Sequence, residues 1–353
     1  VPAAELARLS APTAAPDCTF GVYVDRWLAR RAQVRPRSLR TDRQRLESYA
    51  RPAFAGVPLA DITAAWVRVW VARLAEDLAP RTVRHAYATL SWVLRDAVVD
   101  GIIPSTPCIL GPADLPADAD ADPEWRAGFW FALDELAQLV SDPRVPAQRR
   151  VLWGLCGMAG MRIGEVAALR WSDLRRSSVG GLELFVARSF DCRERRMGAT
   201  KTATVRRVPV HSTLARGLTW WHALGWAGRH GRIPRGEDLL VPTGNGTPVR
   251  GDNAAARMRQ DLAVLGLRKG RSPHALRHTF LTAARAARCE PGLIRQVTHA
   301  RSRDVVEGYS RTEWSQIAAE VERIPFAGEI APAPVTEPEQ LRLRFGGGIS
   351  FSE

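Results

Sequence analysis

The sequence holds no apolar run long enough to cross a bilayer. Its longest, Val151 to Met161, falls well short of the roughly 20 residues that a spanning helix needs. Val1 to Arg8 shows no basic stretch followed by an apolar core, so no secretory signal is read there. Cysteine is scarce and unpatterned: Cys18, Cys108, Cys156, Cys192 and Cys289 form no Cys-x-x-Cys pair. That excludes a disulfide scaffold and a thiolate zinc framework, and points to a reducing compartment. No Gly-x-x-x-x-Gly-Lys loop is present to cradle nucleotide phosphates. Lysine is nearly absent: of 50 basic residues, only Lys201 and Lys269 are lysines. Tyrosine is almost as rare. Tyr23, Tyr49 and Tyr87 lie in the first third, and Tyr309 is the sole tyrosine after residue 107. The expectation is a cytoplasmic protein, nucleoid-associated when on DNA, with no membrane partner and no cofactor.

What is abundant is positive charge. The net charge is +13, and it is unevenly spread. Residues 18–107 hold 14 Arg against 8 acids, and residues 129–315 hold 31 Arg plus Lys against 16 acids. The stretch 108–128 and both tails are net acidic. Two basic bodies joined by an acidic connector suit a clamp around a polyanion. The organisation expected is a tail over 1–17, a basic helical domain over 18–107, and an acidic Pro/Ala-rich linker over 108–128. A second basic domain follows over 129–315, then a C-terminal helix and loose tail over 316–353.

In the first basic body, helices are expected over 19–32, 37–50, 61–76 and 80–100, punctuated by Pro36, Pro52, Pro58 and Pro80. The stripe Val83, Ala86, Tyr87, Leu90, Val93, Leu94, Ala97 has helical core spacing. Trp27 and Leu28, and Trp66, Val69, Trp70 and Leu74, are expected to be the buried sides of their helices. Arg37, Arg40, Arg43 and Arg45, with Arg81, Arg84 and His85, are candidate contacts to a nucleic-acid backbone. In the second body, helices are expected from Asp134, over 149–159, 252–265, 273–287, 291–298 and 304–310. Strands are expected near 182–188 and 206–210, with Lys201 in their connection. The fold class is thus mainly α with a small antiparallel sheet. The segment from Ile317 reads as one more helix, and the Pro-rich remainder, 325–353, as loosely ordered.

Six residues are the candidates for chemistry: Arg162, Lys201, His274, Arg277, His299 and Tyr309. A phosphodiester under attack gathers negative charge on its non-bridging oxygens. Planar, permanently charged guanidiniums grip such a group through paired N–H donors; Arg162 and Arg277 are the candidates. His274 and Arg277, three apart, share a helix face. Lys201 is a lysine kept in a chain that otherwise uses arginine. Arginine cannot release a proton, with a pKa above about 12. Lysine, near about 10.4 when free, is tuned downward by neighbouring cations and can protonate a leaving oxygen. A phenol such as Tyr309 becomes a nucleophile when a neighbour takes its proton or cations stabilise the phenolate. His274 and His278 stand four apart, as zinc ligands do on a helix, but the metalloprotease pattern needs Glu after the first and Ala275 stands there. No metal is expected. His211, His222 and His230 match no motif and are read as packing or surface residues.

The strings Gly160-Met-Arg162-Ile-Gly-Glu165, Thr200-Lys201-Thr202, His274-Ala-Leu-Arg277-His278-Thr279, and His299 followed ten residues on by Tyr309-Ser310-Arg311 stand in the order that resembles the tyrosine recombinase (phage integrase) family. The resemblance covers residues 18 to 315. One departure is local: the second histidine motif of the family usually reads Leu-Gly-His-Ser, and here it reads Val297-Thr298-His299-Ala300. Glycine supplies backbone conformations that threonine resists.

The resemblance implies a core-binding domain followed by a catalytic domain, with the two arginines and two histidines lining a phosphate pocket. It implies that His274 assists proton transfer with the tyrosine and that His299 donates to a phosphate oxygen. The implied activity is site-specific recombination: Tyr309 attacks the scissile phosphate, leaving a 3′-phosphotyrosyl link and a free 5′-hydroxyl. The implied partners are double-stranded DNA at specific recombination sites, three further copies in a homo-tetramer, and directionality or host factors. An integrase of a phage or mobile element is the reading preferred. A chromosome-dimer-resolving recombinase, and a DNA-binding relative that has lost catalysis, are the alternatives; a topoisomerase fits the domain order less well. Residues 1–17 are too few to hold the extra N-terminal domain of many integrases, so that domain is missing or the start is truncated.

Overall fold

The structure, a computed structural model, describes residues 18–32, 36–117, 128–199, 205–298 and 313–330. The chain divides into two units, Val1–Pro123 and Glu124–Glu353.

Among the described residues, four helices build the first unit: α1 (Phe20–Ala32), α2 (Pro36–Arg45), α3 (Ala64–Asp77) and α4 (Pro80–Val99). The whole stripe from Val83 to Ala97 on α4 is buried, against Phe20, Trp27, Leu46 and Phe54. Three expectations need correcting. The second helix was expected to stop at residue 50, ahead of Pro52. Instead the chain stays helical through a π-turn, Leu46–Ala50, into Arg51–Phe54. Proline lacks an N–H and crowds the carbonyl four residues back. The wider turn accommodates it: the Arg51 N–H reaches Leu46 O, and Tyr49 O accepts the Trp70 indole N–H at 3.0 Å. The third helix begins at Ala64, not 61, because the Thr63 hydroxyl accepts from Trp66 N at 3.2 Å and caps it. Its inward face is Val67, Trp70 and Val71. Val69 points outward, 66% exposed, and Trp66 sits at the edge, 40% exposed, with its ring 5.6 Å from Phe54.

The connector also starts later than its composition implies. Cys108 and Leu110 are buried in the first unit's core. The Leu110 N–H donates to the Tyr87 hydroxyl at 2.9 Å, and Arg84 Nε donates to Pro116 O at 2.7 Å. Residues 118–127 lie outside the described residues.

In the second unit, helix α5 (Leu133–Ser141) leads to α6 (Ala147–Met158), whose residues Arg150 to Met158 are all buried. From Val151 to Met158 the helix is apolar on every side, which suits the centre of a core. The short α7 (Ile163–Val166) follows, then β1 (Leu174–Arg176), β2 (Leu182–Val186), β3 (Arg188–Asp191), β4 (Arg196–Ala199) and β5 (Arg206–Val210). Strands β1, β2 and β5 form an antiparallel sheet with Val186 opposite Arg206, and β3 and β4 form a separate hairpin. The chain then enters α8 (Ser212–Trp220), which runs through a π-turn, Trp221–Trp226, into Ala227–His230. Helices α9 (Gly251–Leu265), α10 (Pro273–Ala286), α11 (Pro291–Thr298) and α12 (Trp314–Glu322) follow among the described residues.

The C-terminal segment departs from expectation. Ile317, Val321, Ile324, Phe326 and Ile330 all join the second unit's core. Trp314 anchors α12 by donating from Nε1 to Ser177 Oγ at 2.8 Å, with the Arg207 guanidinium 4.1 Å from its ring. The loosely ordered tail expected from residue 325 is therefore packed as far as Ile330. Residues 331–353, and the helix expected over 304–310, lie outside the described residues.

Candidate active site

The site is built where α6 gives way to α7. Gly160 adopts φ +61°, a conformation that L side chains rarely take. A Cβ there would also lie 2.7 Å from the Phe280 ring and 3.1 Å from the Thr298 methyl. The turn delivers Arg162 in extended conformation at the N-cap of α7. Its own N–H donates to Glu165 Oε2 at 2.9 Å, and its Nη1 donates to Glu165 Oε1 at 3.0 Å. Glu165 is 1% exposed. A second guanidinium meets it from β5: Arg206 Nη1 donates to Oε1 at 3.0 Å and Nη2 to Oε2 at 2.6 Å. Arg206 Nε donates onward to Val297 O at 2.8 Å.

Arg277 approaches from α10 and is buried. Its Nη1 donates to Gly160 O at 2.5 Å and its Nη2 to Thr298 O. Arg206 and Arg277 thus hold adjacent carbonyls at the end of α11. That arrangement resolves the Thr298 departure. The residue is the last of α11 and fully buried, and its hydroxyl donates to Ile294 O at 3.1 Å. Among the described residues, the non-glycine positions with positive φ are Arg195 and Arg288. Thr298 needs no left-handed backbone, and a threonine fits.

Two guanidiniums bind one carboxylate and Arg277 lies within reach of their charges, so the three arginines and Glu165 carry two net positive charges. The electrostatics follow. Burial pushes Arg277 down, and the charges of Arg162 and Arg206 add to the fall despite Glu165, bringing it to about 10; it remains a cation at neutral pH. Burial pushes Glu165 up, but the hydrogen bonds and charge of Arg206, with the Arg162 N–H and guanidinium, prevail and bring it to about 2. A buried carboxylate with four donors is satisfied; a surplus of buried cations calls for an anion.

Of the six residues singled out by sequence, the described structure brings Arg162 and Arg277 together. His274 lies on the first turn of α10 and is exposed, while Arg277, three residues on, is buried. The His274 ring stands edge to face with His278 at 4.9 Å, and His278 in turn with Phe129 at 5.4 Å. Burial, and then Arg277, hold the His278 pKa below its ordinary value, so that ring is neutral at pH 7. Lys201, His299 and Tyr309 lie outside the described residues. Their flanks are described: β4 ends at Ala199, β5 starts at Arg206, and α11 ends at Thr298. The sequence reasoning missed Arg206 and the role of Glu165. The signal for Arg206 was an arginine in the inward slot of an alternating strand, in step with buried Val208 and Val210.

Residues 130–309 match the model of the phage integrase family. The chain belongs to the phage integrase family. The prophage phiRv2 integrase of Mycobacterium tuberculosis is 31% identical over 159 residues, which cover 45% of this chain and 40% of that protein. The matched stretch therefore spans less than half the length of this curated relative. Among solved structures, the Tn1549 transposon integrase in complex with transposon right-end DNA is similar with a TM-score of 0.68 at 18% identity, covering 87% of this chain and 99% of that one. A lambda integrase tetramer bound to a Holliday junction is similar with a TM-score of 0.62 at 16% identity, covering 86% and 83%. These likenesses fix the fold of this phage integrase family chain: mainly α, with small antiparallel sheets. Among the described residues no helix is long and apolar enough to cross a membrane, and no three His, Cys, Asp or Glu side chains are grouped as for a metal ion.

Proposed function

We propose that the chain is a site-specific DNA recombinase that cleaves and rejoins strands through a 3′-phosphotyrosyl intermediate at Tyr309. The observation that carries this reading is the cluster in which Arg162 and Arg277 converge with two net positive charges. A phosphodiester acquiring a fifth oxygen approaches two negative charges, and preorganised cations match that state without reorganising. In the reaction the Tyr309 phenol loses its proton and its oxygen bonds to phosphorus. The bond from phosphorus to the 5′-oxygen breaks, and Lys201 supplies the proton that oxygen takes up. Arg162 and Arg277 grip the non-bridging oxygens, His299 donates to one of them, and His274 assists the proton transfer at Tyr309. The 5′-hydroxyl of a second duplex then attacks the phosphotyrosyl link, so strands exchange and no nucleotide is consumed. Since side chains supply the charge, neither metal nor cofactor enters these steps.

The partners proposed are two double-stranded recombination sites and a homo-tetramer of the chain at synapsis. The exposed Arg43 and Arg81 of the first unit are the backbone contacts favoured among the candidates. An integrase of a phage or mobile element fits better than a resolver of chromosome dimers, given the prophage relative.

The test is a nicked suicide duplex, from which the freed strand diffuses away and traps the covalent adduct. The parent chain accumulates adduct in excess EDTA, and Tyr309→Phe accumulates none while retaining DNA binding. An adduct that persists in the Phe variant, or cleavage that needs added metal, overturns the reading.

A further inference from the structure

We infer that Arg206 is a positioning residue that neutralises Glu165, so that Arg162 keeps its charge and its outer donors for phosphate. The inference rests on the function proposed above and concerns a residue none of its steps uses.

Arg206 faces wholly inward. Its side chain is 3% exposed, and all three guanidinium nitrogens are engaged, two on Glu165 and one on Val297 O. It cannot reach DNA from there. Arg162 is its counterpart on the same carboxylate, 28% exposed, and among the described residues only Nη1 of its guanidinium is engaged. Glu165 shared between two arginines leaves one net charge beside the open guanidinium. Glu165 facing Arg162 alone would form a closed pair of zero net charge, because a buried carboxylate binds whatever cation it has. The Arg162 fork would then turn inward. Arg206 also fixes the other arm of the cluster: it holds Val297 O, next in the chain to the Thr298 O that receives Arg277. One buried side chain therefore sets the partners of both phosphate-gripping arginines. It also opens β5, which follows directly on the segment bearing Lys201.

The experiment uses the full chain on the nicked suicide duplex, reading single-turnover adduct formation and, separately, DNA affinity by anisotropy. Four variants are compared with the parent: Arg206→Met, Arg206→Lys, the double variant Arg206→Met with Glu165→Gln, and Arg162→Ala as the reference for a lost phosphate grip. Arg206→Met is expected to slow adduct formation on the order of 100-fold, the scale of losing one preorganised donor to the reacting group, with DNA affinity unchanged. Arg206→Lys keeps a neutralising charge and recovers much of the rate, although it lacks the fork that meets both oxygens. The double variant removes the carboxylate that would capture Arg162, and it too recovers much of the rate. A purely structural role for Arg206 predicts no such rescue. Arg206→Met as fast as the parent overturns the inference. So does a folded double variant as slow as Arg162→Ala, which decides the matter even if Arg206→Met alone fails to fold. A parent chain that forms no adduct overturns the proposed function and this inference with it, and is told apart because the loss precedes any substitution.

Discussion

At the scale of single residues, Glu165 makes the site sensitive to acid. Its folded pKa of about 2 lies below its ordinary 4.5, so the folded state binds its proton less readily than the unfolded chain does. The stability this contributes is fully present above pH 4.5 and is lost as pH falls toward 2. Other lowered carboxylates, such as Glu135 with Arg271, lose stability in the same acid range. A comparison isolates Glu165: the urea midpoint of the parent should fall more steeply between pH 5 and pH 3 than that of Glu165→Gln. Parallel profiles would show that the carboxylate is not held as described. Sequence reading singled out Arg162 and Arg277 through short strings, Gly160 to Glu165 and His274 to Thr279, in an order that resembles the family. It did not reach Arg206, whose partners Glu165 and Val297 lie 41 and 91 residues away. Pairings of that range are set by the fold, and no short string encodes them.

Elements were legible where periodicity and punctuation agree. The expected 206–210 strand and 291–298 helix match β5 and α11, and the α4 stripe is buried as its spacing requires. Legibility failed where tertiary packing overrides a local signal. Pro52 reads as a helix stop, yet the π-turn carries the helix past it. No helix was expected over α8, which carries Gly217 and Thr219 among its helix-weakening residues and is held by buried Trp221 and Trp226. The segment after α12 reads as tail because it is short and Pro-rich, but its few apolar side chains enter the core. Ile330 is fully buried and lies against Gly154 of α6 and Gly217 of α8. Ile330→Ala should therefore destabilise the second unit by about 2–5 kcal/mol, the cost of truncating a core aliphatic side chain. Hydrogen exchange in α6 would register this as faster opening. Unchanged protection there would place Ile330 outside the core.

For the whole molecule, the net charge of +13 and its concentration outside residues 108–128 predict DNA binding that weakens steeply with salt. Not every arginine contributes. Arg84 is committed to Pro116 O, and Arg45 lies 3.9 Å from buried Asp42, whereas Arg43 and Arg81 are exposed. Replacing either exposed residue with Ala should lower the slope of log affinity against log salt by about 1, and a slope unchanged in both variants would remove them from the interface. Composition pointed toward the polyanion partner proposed above, and the order of motifs announced the family. Neither indicated that the first unit extends through Pro116 or the second through Ile330, since both extensions rest on a few anchoring contacts.

The central claim is a covalent bond between Tyr309 and a 3′-phosphate, and one measurement tests it directly. Trypsin should release Asp304–Arg311, a peptide whose sole tyrosine is Tyr309, from the adduct trapped on a suicide duplex. After nuclease trimming, mass spectrometry with fragmentation is predicted to find a nucleotide 3′-phosphate on Tyr309 of that peptide. A nucleotide on Ser310, on any other peptide, or on none, would contradict the account.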